Sequence, residues 1–237
     1  MKRRVEIIDS VRTADGLLQL VRHGDDWEIT IDRRTLMSSM LNRSEIALGE
    51  LACRPLADRA APRVLVSGLG LGYTLRAALD VLPRDAKVIV AEINPVVVDW
   101  CRSHLAPLCD HVLEDPRVRL DVGDVNISVA RGAAGGKGNR YDAIVLDLYE
   151  GPYAVPAGRE DPLFGPTALA GMRVALAAGG CLAVWSEQAV PSFEKRLRSS
   201  GFDCEPHRPR HKGTRHMVYL ARPTRRGDST LNANRLE

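Results

Sequence analysis

Residues 64–80 read VLVSGLGLGYTLRAALD. An apolar, β-branched run gives way to Gly68, Gly70 and Gly72, and then to helical spacing. A buried strand, a glycine turn and a helix start in this order constrain the chain to an open α/β sheet. Such a turn brings a ligand close to backbone N–H groups at a helix N-terminus. The spacing is G-x-G-x-G. A phosphate loop of the Walker type would need Gly-Lys-Ser/Thr, which is absent, and the dinucleotide fingerprint would need glycine where Tyr73 stands. Glycines at this spacing also serve strand–helix packing alone, so the surroundings must decide.

From Pro62 onward, strand signals alternate with helix signals. RVLVSG, AKVIVAEI, RVRLDVGD, YDAIVLDL and GCLAVWSE are short apolar runs suited to strands buried on both faces. Helices are predicted over 73–82, 95–104, 125–133 and 166–178, with Pro95 in a first turn. A further helix over 193–199 leads to GFDCEPHRP and RHMVYLARP, which read as antiparallel strands closing the sheet. GAAGGKGN reads as a flexible loop. Repeated β-α units predict a Rossmann-like doubly wound sheet. Before it, GLLQLVRHGDDWEITIDRRTLMSS alternates around a turn signal and predicts a β-hairpin or small meander. SEIALGELAC then reads as a helix with Ser44 as N-cap. The expected organisation is an N-terminal β region with linking helix over 1–52, a nucleoside-binding domain over 53–223 and a polar tail over 224–237.

At 237 residues and 45% apolar, the chain suits one sizeable domain with a small appendage. A net charge of +3 gives no sign of nucleic-acid binding. The basic residues crowd the end, at Arg208, Arg210, Lys212, Arg215, Arg222, Arg225 and Arg226, as expected of a solvated edge. The five cysteines form no CxxC pair, and their odd number suits reduced thiols. Cys101 and Cys109 with His104 and His111 match no zinc spacing, so no metal is expected. No apolar stretch is long enough to span a bilayer. These features predict a cytoplasmic protein with no membrane partner.

Ligands of such sheets sit beyond the carboxyl ends of the strands. Glu92 ends the second strand signal and can accept both hydroxyls of a ribose. Asp124 ends the third and can accept an adenine amine. Either acid alone would serve equally as a helix cap. With the glycine loop, the two converge on one adenosine. Gly68, Leu69, Gly70, Leu71, Gly72, Glu92, Ile93, Asp124, Val125 and Asp147 are the candidate donor-binding residues. Asp147, Tyr149 and Glu150, at the fourth strand tip, are the candidate catalytic residues, because neighbouring carboxylates can hold a cationic amine or take its proton.

With these motifs in place, the chain resembles the spermidine synthase family, which shares the class I S-adenosylmethionine methyltransferase fold. The resemblance runs through SEIALGELAC, the glycine loop with Thr74-Leu75-Arg76, AEINPVVVDWCR, VGDV, YDAIVLDLYEGP and LFGPTALAGMRVALAAGGCLAVW. It implies that Glu92 holds the ribose, Asp124 and Val125 the adenine, and Asp147 the reactive end. It also implies a homo-oligomer formed through the N-terminal β region.

Three departures bear on function. Leu71 stands where the family carries an Asp that neutralises the amine of decarboxylated S-adenosylmethionine. The family's acceptor-side Tyr-Gln falls on Leu48-Gly49, although Glu50 remains. Its Asp-Ser-Ser-Asp becomes Asp147-Leu148-Tyr149-Glu150. A Leu71 side chain facing the ligand's aminoalkyl arm would remove repulsion toward a donor carboxylate. That favours S-adenosylmethionine as co-substrate and a small-molecule methyltransferase. Aminopropyl transfer from the decarboxylated donor to an amine is the alternative, and a non-catalytic nucleoside-binding protein is the third reading.

Overall fold

The computed structural model describes residues 5–149, 151–153, 160–209 and 215–224. Eleven strands among them form two sheets. The first four are β1 (Val5–Thr13), β2 (Gly16–His23), β3 (Asp26–Ile31) and β4 (Arg34–Ser38), an antiparallel meander in the order β1-β2-β3-β4. The alternation of GLLQL and WEITI sets its inner face. Leu18, Leu20, Ile29 and Ile31 are buried against the main core. The predicted hairpin is thus one part of a larger sheet, extended by β1.

Helix α1 (Arg43–Cys53) links the two sheets. The remaining strands are β5 (Arg63–Ser67), β6 (Lys87–Glu92), β7 (Val118–Val122), β8 (Tyr141–Leu146), β9 (Leu176–Ser186), β10 (Phe202–His207) and β11 (Met217–Pro223). Their order is β10-β11-β9-β8-β5-β6-β7. Strands β5 to β9 pair in parallel, while β11 runs antiparallel to both β9 and β10. This is the mixed α/β sheet expected from the sequence, closed by the two predicted antiparallel strands. β8 is buried along its whole length, which explains its apolar run from Ala143 to Leu146, while the buried Asp142 pairs with Arg59.

Helices α2 (Tyr73–Val81), α3 (Pro95–Arg102), α4 (Val125–Ala134), α5 (Pro166–Ala175) and α6 (Pro191–Ser199) cover the sheet faces. Two packed clusters result. One lies beneath the meander, α1, α2 and α3, and the other beneath α4, α5 and α6. Two expectations are corrected. α5 stops at Ala175 because Leu176 is already extended and pairs with Tyr141. Ser44 is not the N-cap of α1. Asn42 holds that position, and Ser44 lies inside the first turn with its hydroxyl turned to side chains. The GAAGGKGN segment is only partly loop, since α4 runs to Ala134 and Lys137–Asn139 forms a 3-10 turn.

All five cysteines are free, and Cys53, Cys101, Cys109 and Cys181 are buried. Among the described residues, no helix is long and apolar enough to cross a membrane. No cluster of His, Cys, Asp or Glu among them could hold a metal ion. Most of the polar tail predicted over 224–237, and four members of the basic crowd, lie outside the described residues.

Candidate functional site

The carboxyl ends of β5, β6, β7 and β8 surround a cavity of about 310 Å³. Gly68 fixes its floor. Its φ is +87°, and a Cβ there would lie 2.0 Å from the carbonyl oxygen of Asp147. No other residue allows β5 and β8 to turn outward so close together. Gly68 and Gly70 line the cavity together with Glu92, Ile93, Asp124, Val125, Asp147 and Tyr149. The predicted strand-tip acids therefore do converge.

Glu92 is buried, and both its oxygens accept backbone N–H groups. Leu69 N donates to Oε2 at 2.8 Å and Asn94 N to Oε1 at 2.8 Å. Burial raises its carboxyl above the ordinary range, opposed by these amide donors. A carboxylate has about four acceptor positions, so lone pairs remain for a ligand's hydroxyls. Asp124 caps α4, accepting from Asn126 N at 2.8 Å, and its side chain stays exposed at the rim. Ile93 is also exposed, whereas Val125 is buried.

The other end of the cavity differs. Asp147 is buried and accepts a hydrogen bond from Thr74 Oγ1 at 2.5 Å. Burial and, second to it, the nearby Glu45 carboxylate push its carboxyl up to about 7 against the opposing Thr74 hydroxyl. Glu45 is buried as well and lines the same cavity. Burial raises it too, against a hydrogen bond from Ser44. The cause of this meeting is Gly49. A Cβ at Gly49 would lie 2.4 Å from the carbonyl oxygen of Thr74, so its absence lets α1 pack directly on α2. Thr74 Oγ1 then reaches the backbone oxygen of Glu45 at 3.2 Å as well as Asp147.

Sequence reasoning missed Glu45. It also missed the meander's contribution, since Leu18, Ile29, Leu36 and Met37 form an apolar wall of the cavity. Met37 Sδ accepts the N–H of Leu71 at 3.0 Å, clasping the glycine loop from outside. The alternation of β2 and β3 predicted an inward apolar face but not what that face would cover.

Two expected donor-binding side chains do not line the cavity. Leu71 is fully buried in the core beneath the meander, and Leu69 is buried in the same cluster. An apolar side chain on a tight glycine turn gains more from the core than from a polar cleft. The expectation that Leu71 faces a ligand is therefore corrected. Gly72 enters α2 and lies against Cys109 rather than the cavity. Glu150 lies outside the described residues. Tyr149 is half-buried at the cavity edge.

Among the described lining residues are five acids, Asp15, Glu45, Glu92, Asp124 and Asp147, and no Lys, Arg or His. Trp185 also lines the cavity, and its indole Nε1 is buried without a hydrogen-bond partner. The cavity is thus anionic at both ends and apolar between. It can take a nucleoside at the Glu92 end and a cation at the Glu45–Asp147 end.

No family model matches the chain. A polyamine aminopropyltransferase of Mycobacterium tuberculosis is 29% identical over 194 residues, covering 79% of this chain and 35% of that protein. One of Prochlorococcus marinus is 30% identical over 188 residues, covering 78% of this chain and 57% of the relative. The matched region therefore spans about a third of the first relative's length and somewhat over half of the second's. A spermidine synthase from Thermotoga maritima superposes with a TM-score of 0.68 at 18% identity, over 91% of this chain and 72% of that one. Human methyltransferase-like protein 13, in complex with SAH, superposes at 0.54 and 18% identity, over 80% of this chain and 83% of that one. The chain is spermidine synthase-like and has a methyltransferase-like fold.

Proposed function

We propose that the chain is an aminopropyltransferase of the spermidine synthase type, with decarboxylated S-adenosylmethionine as donor and an amine as acceptor. The observation that carries this reading is the charge of the cavity, five acids with no basic side chain among the described lining residues. The decarboxylated donor brings a sulfonium and an ammonium. S-adenosylmethionine adds a carboxylate that would enter an acidic cavity without a cationic partner, and such unpaired burial costs several kcal/mol. The Leu71 argument for S-adenosylmethionine loses its basis once that side chain lies in the core. The names of the relatives point the same way, while methyl transfer keeps support only at the level of the fold.

In this reading Glu92 accepts the ribose hydroxyls and Asp124 the adenine amine. Asp147 and Glu45 hold ammonium groups and take the proton that the acceptor must lose. The acceptor nitrogen forms the new C–N bond as the donor's C–S bond breaks and its electron pair passes to sulfur. One proton leaves the acceptor. A carboxyl held near 7 is poised for that transfer at neutral pH, which is worth about 10²–10⁴ in rate. The rest of the acceleration comes from alignment in the cavity.

Incubation with each donor and a panel of diamines separates the readings. Methylthioadenosine should form from the decarboxylated donor. Formation of S-adenosylhomocysteine alone would restore the methyltransferase reading, and no product from either donor would leave a binding protein. A cytoplasmic homo-oligomer completes the proposal. The free edge of β1, with Val5 and Ile7 exposed, is the surface that supports association, and sedimentation measures it.

A further inference from the structure

The acid pair continues into a chain of groups that leads out of the cavity. Ser44 Oγ lies 2.6 Å from Glu45 Oε2 and 2.7 Å from His216 Nδ1. Ser44 and Glu45 are buried, whereas His216 is only half-buried, just before β11. Trp185, from the cavity wall, meets the His216 ring edge-to-face at 5.1 Å and sets its plane. Three parts of the chain, α1, β9 and the residue before β11, thus place one hydroxyl between a carboxyl in the cavity and an imidazole at its outer side.

We infer that Glu45, Ser44 and His216 form a proton-exchanging chain that carries the acceptor's proton away from the cavity. The inference rests on the transfer reading above. A hydroxyl has one hydrogen, so Ser44 cannot donate to both neighbours. Either it donates to a Glu45 carboxylate and accepts from the His216 Nδ1–H, or it donates to a bare Nδ1 and accepts from a protonated Glu45. Exchange between these states moves one proton across both bonds. Glu45 takes a proton from the acceptor nitrogen and donates its hydrogen to Ser44 Oγ. With Nδ1 bare, the Ser44 hydrogen passes to it, which leaves Glu45 a carboxylate and His216 an imidazolium at the outer end of the chain. No redox partner is needed. Glu45 touches substrate in this scheme, and Ser44 and His216 act through it.

Among the groups facing the imidazole are Ser44 and, through it, Glu45 from α1, and Trp185 from β9. Asp147 from β8 acts on Glu45, and Arg215 precedes His216 in the chain. The first test needs no turnover. The His216 imidazole is titrated by NMR in the ligand-free full chain and in Glu45→Gln. Loss of the linked anion should lower the midpoint by about one unit. In a Ser44→Ala background the same change should move it less, because only the through-space part of the coupling remains. A midpoint unaffected by Glu45→Gln overturns the chain.

The second test uses His216→Asn, which keeps a donor near the Nδ1 position but cannot titrate. Its kcat should fall roughly tenfold with KM near wild type, and added imidazole should restore it. A wild-type kcat, or no response to imidazole, shows a packing role and overturns the relay. Absence of product with either donor would overturn the transfer reading in its own assay, while the NMR titration still judges the exchange chain.

Discussion

Two pairs of acids occupy the same cavity under opposite conditions. At the nucleoside end, Glu92 is held by peptide N–H groups and Asp124 by the N-terminus of α4. Their partners are backbone and are present whether or not a ligand is bound. At the other end, Asp147 has one hydroxyl and Glu45 another, and each lies in the other's field. Fixed dipoles make an acid a shaped acceptor for neutral hydroxyls. Two acids with little such support, Asp147 with no backbone donor and Glu45 with its own N–H alone, make a site that is completed by a cation. On the proposed function, difference in backbone support, more than in residue type, separates recognition from chemistry.

The largest effect should come from the unsupported end. Asp147→Asn removes the acid with the most strongly raised carboxyl. It should lower kcat by about 10²–10⁴ while leaving the melting temperature near wild type or higher. Steady-state kinetics with calorimetry measure both, and an unchanged kcat would assign the proton to Glu45 alone.

Leu71→Asp should act on folding rather than on donor choice, because the side chain lies in the core. A carboxylate there should cost about 3–5 kcal/mol, read by chemical denaturation. A variant with normal stability and tighter binding of the decarboxylated donor would place this side chain in the cavity after all.

The two ends should also differ in pH. Asp147 binds its proton more tightly when folded, near 7, than when unfolded, near 3.8. Its contribution is therefore fully present below about 4 and is lost as pH rises toward 7. The slope implies at most about 4 kcal/mol, at 1.36 kcal/mol per unit. Asp147→Asn should flatten that part of a stability–pH curve, and a cationic ligand should do the same. A wild-type curve that is already flat over this window contradicts the raised carboxyl.

Glu92→Gln should have the smallest effect, a loss of about 1–3 kcal/mol in binding of a methylthioadenosine product or of S-adenosylhomocysteine. Calorimetric titration of either ligand measures it. Unchanged affinity would remove Glu92 from the site.

The sheet was legible because strands buried on both faces cannot hide their composition, and β5, β6 and β8 show it in VLV, VIVA and AIVL. Glu92, Asp124 and Asp147 were legible because a parallel sheet sends the ends of its strands to one side. Glu45 was not. Its place depends on how closely two helices approach, and Gly49, the residue of α1 that sets this distance, does not show which backbone it packs against. Ser44 has the residue type and position of a cap, and only the arrival of His216 from a distant strand gives its hydroxyl other partners. Leu71 misled because a matching position was read as a matching direction, whereas an apolar side chain on a strained turn follows the core.

Gly49 contributes no side chain to the cavity and no atom to any reaction. Yet it sets how near Glu45 can stand to Asp147, because the space its missing methyl leaves is filled by the backbone of α2. Coulomb repulsion falls with the inverse of distance. A wedge as small as one carbon at position 49 would therefore relax the two acids and weaken the field that favours a cation. On the proposed function, the charge selectivity of the cavity is tuned by a van der Waals radius at the contact of α1 with α2.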